Sequence, residues 1–277
     1  YFQVGDAEVS QDNRLLAWAE DAVGRRQYTI RFRDLDSGEL HADSIPGVAA
    51  NLVWADDNRT LFYVENDPDT LLTVRVKRHV LGTPVASDVL VYEEHDDSFY
   101  MAIDRSRDDA FICISVESTV SSEMRHAPAA DPRAFVVLAP RERDVEYQAD
   151  HLDGRWVIRT NWNAKNFQLM QLPDDQPLGD RKRWTAFVPH DDKVFIEDYE
   201  LFDGFTAIEE RSGGLLRLRT LGNDGKSTFV ASDESAYAMS LATNAEPHTP
   251  LLRYTYTSLT TPNTTYEFST KTGERRL

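Results

Sequence analysis

A turn-plus-strand unit that returns about every 45 residues constrains this chain more than any other feature. It first reads Ser10-Gln11-Asp12-Asn13-Arg14 followed by Leu15-Leu16-Ala17-Trp18-Ala19, and returns as Ala55-Asp56-Asp57-Asn58-Arg59 followed by Thr60-Leu61-Phe62-Tyr63-Val64. Weaker copies are Arg105-Ser106-Arg107-Asp108-Asp109 before Ala110–Ile114, Leu152-Asp153-Gly154-Arg155 before Trp156–Ile158, and Phe202-Asp203-Gly204 before Phe205–Ile208. Strands in every unit at this period specify an all-β chain, a β-propeller of four-stranded antiparallel blades. A propeller is commonly a platform, so chemistry is expected outside the repeat itself.

The rest of the chain agrees with that reading. Helical periodicity is nearly absent, and the apolar segments are short and rich in Val, Ile, Phe, Tyr and Thr. Asp36-Ser37-Gly38-Glu39, Asn223-Asp224-Gly225-Lys226 and Lys271-Thr272-Gly273-Glu274 are hairpin turns in which Gly supplies the positive φ. Four strands per unit divide the chain into six blades at roughly 5–49, 50–96, 97–142, 143–191, 192–234 and 235–277. The longest stretch without strand character is the polar run Pro173–Lys182. Six blades can close a ring alone, or a further blade can come from sequence outside 1–277, because an open ring leaves two unpaired edges. The large aromatics Trp18, Trp54, Phe62, Tyr63, Phe99, Tyr100, Phe111 and Trp156 are expected to pack between blades. Trp162, in a polar turn, either covers a neighbouring blade or is exposed for a partner.

Composition excludes several functions. A net charge of −17 repels phosphate backbones, so nucleic acid is not an expected partner. No apolar run is long enough for a membrane-spanning helix, and no membrane partner is expected. The N-terminus lacks the basic-then-apolar pattern of a leader, and a start at Tyr1 is expected of an excised piece. The single cysteine, Cys113, allows no internal disulfide and reads as core filler; this leans towards a reducing compartment. A cytoplasmic location is expected, with the periplasm as the alternative.

Motifs for chemistry are missing. There is no G-x-S-x-G elbow, and Ser212-Gly213-Gly214 reads as a hairpin turn. There is no H-E-x-x-H, paired-cysteine, G-x-G-x-x-G or P-loop pattern, so no metal site and no cofactor are expected; His95-Asp96-Asp97 and His151-Leu152-Asp153 are chance neighbours. Arg181-Lys182-Arg183-Trp184 reads as solvated edge-strand charge. Two acidic links stand out: Glu93-Glu94-His95-Asp96-Asp97 before the strand Phe99–Ile103, and Pro189-His190-Asp191-Asp192 before Val194–Ile196. Both fall where the outer strand of one blade passes to the first strand of the next. They are either solvated turns bonded to local backbone, or acidic groups crowding one face or the channel mouth as a cationic site.

Several stretches in order also resemble a known family. These are Ala19-Glu20-Asp21, Gly24–Phe32, His79, Gly82-Thr83-Pro84, Val91–Glu94, Asp96–Tyr100, Arg141-Glu142-Arg143, Glu146-Tyr147, Asp150-His151, Lys165-Asn166-Phe167, Thr260–Thr264 and Thr272–Arg276. Together they resemble the propeller domain of the oligopeptidase B (protease II) branch of the prolyl oligopeptidase family of serine peptidases. The resemblance implies a seven-bladed propeller covering a C-terminal α/β-hydrolase domain. It also implies sequence upstream of Tyr1, and a Ser-Asp-His triad and an acidic specificity pocket beyond Leu277. No catalytic residue is therefore expected within 1–277, which form one propeller domain. The implied role is a lid on a peptidase that cuts short peptides after basic residues and spares folded proteins. Its implied partners are the hydrolase domain of the same protein and short basic peptides. Glu93, Glu94, Asp96, Asp97 and Phe99 are the candidates for facing the catalytic domain or steering substrate. A stand-alone interaction scaffold is the alternative, and a propeller enzyme with convergent carboxylates on its first strands is a third reading.

Overall fold

The structure, a computed structural model, describes residues 1–277 and is built of strands, with two single-turn 3-10 segments at Val85–Ser87 and Arg181–Arg183. Blade 1 holds β1 (Gln3–Val9), β2 (Leu15–Asp21), β3 (Tyr28–Asp34) and the first half of β4 (Leu40–Trp54). The second half of β4 opens blade 2, which continues with β5 (Thr60–Asn66), β6 (Thr73–Val80) and β7 (Val89–Glu93). Blade 3 is β8 (Tyr100–Arg105), β9 (Phe111–Glu117), β10 (Ser122–Pro128) and β11 (Val136–Ala139). Blade 4 is β12 (Tyr147–Leu152), β13 (Arg155–Thr160), β14 (Gln168–Pro173) and β15 (Thr185–Val188). Blade 5 is β16 (Phe195–Phe202), β17 (Phe205–Ser212), β18 (Leu215–Gly222) and β19 (Ser227–Phe229). Blade 6 is β20 (Tyr237–Leu241), β21 (Leu251–Ser258), β22 (Thr264–Ser269) and β23 (Arg275–Arg276). Strands within a blade pair antiparallel in chain order. Two compact units are present, Tyr1–Asp144 with blades 1–3 and Val145–Leu277 with blades 4–6. The six segments read from the sequence are these six blades.

The recurring turn has one geometry. Ser10 and Ser106 each receive a backbone N–H on Oγ from five residues on, Leu15 and Phe111, both at 2.9 Å, and each donates that hydroxyl to the Asp two residues on. Asn13, Asn58 and Asp109 hold the fourth turn position at φ of 60°, 54° and 60°. Asn and Asp tolerate that left-handed region because a short polar side chain bonds locally. The two weak copies differ. Asp153-Gly154 and Asp203-Gly204 are tight two-residue connections inside uninterrupted hairpins, Leu152↔Arg155 and Phe202↔Phe205.

Middle strands read as continuous apolar runs because both faces are covered. Alternation sends Leu61 and Tyr63 of β5 into the core shared with blade 1, and Phe62 and Val64 into the core shared with blade 3. In the second unit Val157 of β13 and Ile208 of β17 meet in the core between blades 4 and 5. Ala207 and Leu218 meet Met239, Leu252 and Tyr254 between blades 5 and 6.

Four expectations fail locally. Tyr100 is 62% exposed, because β8 turns residues 100, 102 and 104 outward and buries Met101 and Ile103. Trp18 is half-buried beside Arg33, its Nε1 donating to Glu20 at 2.8 Å. Arg181–Arg183 is not edge strand: Asp180 accepts the Lys182 N–H at 3.0 Å and winds the segment into a 3-10 turn that drives Trp184 into the core. Trp162 packs edge-on against this Trp184 of its own blade, at 6.2 Å between ring centres, rather than over a neighbouring blade.

Candidate functional site

The first acidic link folds on itself. Asp96 accepts the Ser98 N–H and hydroxyl at 3.0 and 2.6 Å, and its carbonyl accepts the Phe99 N–H. Glu94 turns inward. Its Oε1 accepts the N–H groups of His95 and Asp96, and its Oε2 accepts the Tyr92 hydroxyl at 2.7 Å and Arg141 Nη2 at 2.5 Å. Burial alone would raise the Glu94 carboxyl, but Arg141, the Asp96 N–H and the Tyr92 hydroxyl together hold it below its ordinary value. The Arg141 guanidinium also covers the ring of Phe99, which is 6% exposed. Glu93 bonds Arg75 at 2.8 Å, and Arg75 and Lys77 share Glu65 on the same blade.

Of the five residues singled out, Glu94 and Phe99 thus form a buried hub with Arg141, Glu93 belongs to a strip of ion pairs, and Asp96 caps a turn. His95, Asp96 and Asp97 are all exposed, and of the two aspartates Asp97 is the one not engaged in capping the turn. The second acidic link is held likewise. Asp191 accepts the Lys193 N–H, Asp192 pairs with Lys165 at 3.0 Å, and Asn166 Nδ2 donates to the carbonyls of both aspartates.

Sequence reading missed a second feature, a row of side chains on the first two strands of a blade that lace it to the backbone of a neighbouring blade. Asp6 Oδ2 on β1 accepts the Leu52 N–H of β4 at 3.0 Å. Asn51 on β4 brackets Ile103 on β8, accepting its N–H at 2.6 Å and donating to its carbonyl at 2.9 Å. In the second unit Glu209 accepts the Leu241 N–H at 2.8 Å, and the Tyr199 hydroxyl donates to the Val157 carbonyl at 2.5 Å. These groups satisfy backbone that the ladders within each blade do not reach; blades 5 and 6 are also joined by a parallel bridge, Leu216↔Ala238.

The same row concentrates carboxylates. Desolvation by the neighbouring strands pushes Asp6 and Asp104 up, although Asp104 keeps accessible surface, and repulsion from Asp6 and Asp109 adds to the Asp104 shift. Glu8 keeps accessible surface but sits among these strands, and partial burial, then repulsion from Asp6 and Asp104, lifts it to about 7 against the pull of Arg105. In the second unit burial raises Asp198 and Glu209, while Arg159 is lowered by burial and lies 3.7 Å over Phe167. The arrangement can bind and orient cationic groups. Ser212 Oγ donates to the Lys193 carbonyl at 3.1 Å beside the Gly213-Gly214 turn, so this serine is a turn residue. His151 pairs with Asp174 at 3.0 Å, not with Asp153.

A family model described as the prolyl oligopeptidase N-terminal β-propeller domain matches residues 1–277. The chain belongs to this family. It is 64% identical over 277 residues to dipeptidyl aminopeptidase BI of Pseudoxanthomonas mexicana, covering all of this chain and 38% of that protein. It is 29% identical to protease 2 of Moraxella lacunata, covering all of this chain and 40% of that one. Among solved structures, oligopeptidase B of Leishmania major superposes over the whole chain with a TM-score of 0.92 at 27% identity, covering 40% of that chain. This propeller domain therefore spans about two fifths of the length of its relatives.

Proposed function

We propose that residues 1–277 are the access-limiting domain of a serine peptidase that acts on short peptides, with the nucleophile on an α/β-hydrolase domain outside this stretch. The observation that carries the reading is the family match over the full chain, joined to relatives more than twice as long. Physically the propeller contributes exclusion: a cover over a shielded site admits short or flexible peptides, keeps folded proteins out and lowers the water content around the reacting groups. The carboxylates on the first strands and the exposed Asp97 give the domain an acidic surface that attracts cationic substrate groups.

Two substrate preferences follow from two observations. The oligopeptidase B resemblance and the acidic surface favour cleavage after Lys or Arg. The 64% identity to a dipeptidyl aminopeptidase favours release of dipeptides from a free N-terminus, whose ammonium is also cationic. The test uses the full-length protein with a fluorophosphonate serine probe and two fluorogenic substrates, a free dipeptidyl amide and an N-acylated arginyl amide. Labelling with turnover of the free dipeptidyl amide alone establishes the exopeptidase; turnover of the acylated arginyl amide establishes the endopeptidase. A full-length product that neither labels nor turns over either substrate removes the peptidase reading and leaves an interaction scaffold.

A further inference from the structure

The link Pro189–Asp192 borders a cavity of about 400 Å³ within the second unit, between this link and the outer strands of blade 5. Its polar face comes from strand alternation. Glu210 lies opposite Arg217 in the β17–β18 register, Arg219 stands two residues further along β18, and Ser227 and Phe229 on β19 face the same way. Glu210 is 1% exposed and binds both arginines: Arg217 Nε and Nη2 reach Oε1 at 3.0 and 2.8 Å, and Arg219 Nε reaches Oε2 at 2.9 Å. Arg219 Nη1 donates to Ser227 at 3.2 Å, and the Arg217 guanidinium lies 4.4 Å over the Phe229 ring. Arg217 Nη1 and Arg219 Nη2 bond none of the chain's own groups.

Two guanidiniums thus share one carboxylate, an excess of one positive charge in a chain of net charge −17. Asp191 on the rim does not cancel it, since its Oδ1 accepts the Lys193 N–H and it forms no ion pair with either arginine. The remaining wall is apolar, with Val188, Val194 and Ile196 facing Phe229, itself 46% exposed. A pocket with a few fixed donors on one side and hydrocarbon on the other is the usual form of a small-ligand site. Planar guanidiniums locked by a buried carboxylate match a planar carboxylate, because their unused N–H groups are already oriented.

We propose that this cavity binds a carboxylate that carries an apolar group, either a small organic acid or the free C-terminus of a peptide ending in an apolar residue. The carboxylate sits on Arg217 and Arg219, and the apolar group lies against Ile196 and Phe229.

Calorimetric titration of the full-length protein tests this with 3-phenylpropionate, N-acetylphenylalanine, the amides of both, and inorganic phosphate. Both acids are expected to bind saturably, and each amide at least about tenfold more weakly, since a charge-assisted bond is lost. Arg219→Gln, with its fold checked by circular dichroism, is expected to weaken acid binding by a similar factor. Tighter binding of N-acetylphenylalanine than of 3-phenylpropionate supports the peptide C-terminus as the source, and the reverse order supports a free acid. The proposal is overturned by no saturation up to about 10 mM, by amides that bind as well as acids, or by phosphate binding as tightly as either. Should Arg219→Gln not fold, the acid-to-amide comparison on the unaltered protein decides alone. Binding unchanged in a folded Arg219→Gln protein places the ligand elsewhere and also overturns it.

Discussion

The guanidinium of Arg141 lies 4.1 Å from the centre of the Phe99 ring, roofing a residue that opens blade 3. The same cation neutralises Glu94, whose side chain is 8% exposed. Arg141→Met keeps a packed stem over the ring and leaves the carboxylate with neutral donors only. The expected loss is about 2 kcal/mol, read as a fall in Tm of about 5 °C. Because Glu94 is held below its ordinary 4.5, its contribution is present above that pH and disappears as acid carries it through the lowered value. The Tm gap between the two proteins should therefore close in acid. An equal Tm at pH 7 would show that the hub does not stabilise the fold.

Asp97 separates steering from stability. Charge reversal of Asp97 alone, which leaves the Asp96 turn cap in place, is expected in the full-length protein to raise KM for dibasic peptides, flatten its dependence on salt and leave kcat unchanged. Glu94→Gln is expected to lower Tm instead. Kinetics that do not respond to the reversal would remove the acidic link from any role in substrate attraction.

Glu8 reports on the charge crowding of the first strands. Its folded value of about 7 exceeds the ordinary 4.5, so the native state binds this proton more tightly than the unfolded chain does. Stability from this group is then greatest in acid and falls as pH rises from 4.5 to about 7, levelling off above. Glu8→Gln removes that slope. A Tm about 2 °C above the unaltered protein at pH 8, converging near pH 4.5, is the expected melt profile, discounted for the group's partial exposure. Parallel curves at both pH values would contradict it.

Asn13 tests the recurring turn. With φ at 60°, a β-branched side chain is strained there and glycine is not. Asn13→Val should cost about 1–2 kcal/mol and Asn13→Gly a few tenths, measured by denaturant midpoint at constant slope. Equal midpoints for the two would mean that the turn relaxes.

Blade boundaries were legible because the physics that sets them is local. Two-faced burial makes the centres of β5 and β13 continuous apolar runs, and a positive-φ Asn, Asp or Gly marks many of the reversals. The lacing was not legible, because Asp6 meets Leu52 and Asn51 meets Ile103 across whole blades, and nothing near Asn51 in the chain distinguishes it from a turn residue. The acidic links were visible as composition, but how each is held depends on Arg141, which binds the Glu94 carboxylate, and Asn166, which binds the Asp191 and Asp192 carbonyls, both from loops distant in the chain. Tyr100 shows the limit of composition within one strand: Met101 took the buried phase of β8, and the aromatic was left outside. Arg217 and Arg219 carried no signal either, since an Arg-x-Arg pair on a strand reads as ordinary surface until Glu210 is seen beneath it.

The 15-residue β4 leaves the outer position of blade 1 and enters the first position of blade 2 without a linking loop. Its consequence is mechanical. Between blades 1 and 2 there is no loop to extend under tension, since β4 is hydrogen-bonded into both and its only give is the irregular step from Gly47 to Leu52. The compliant joint is the irregular stretch between Glu93 and Tyr100, where the ladder stops. Arg141 clasps that stretch by binding Glu94 at one end and covering Phe99 at the other, so side chains do there what a continuous backbone does between blades 1 and 2.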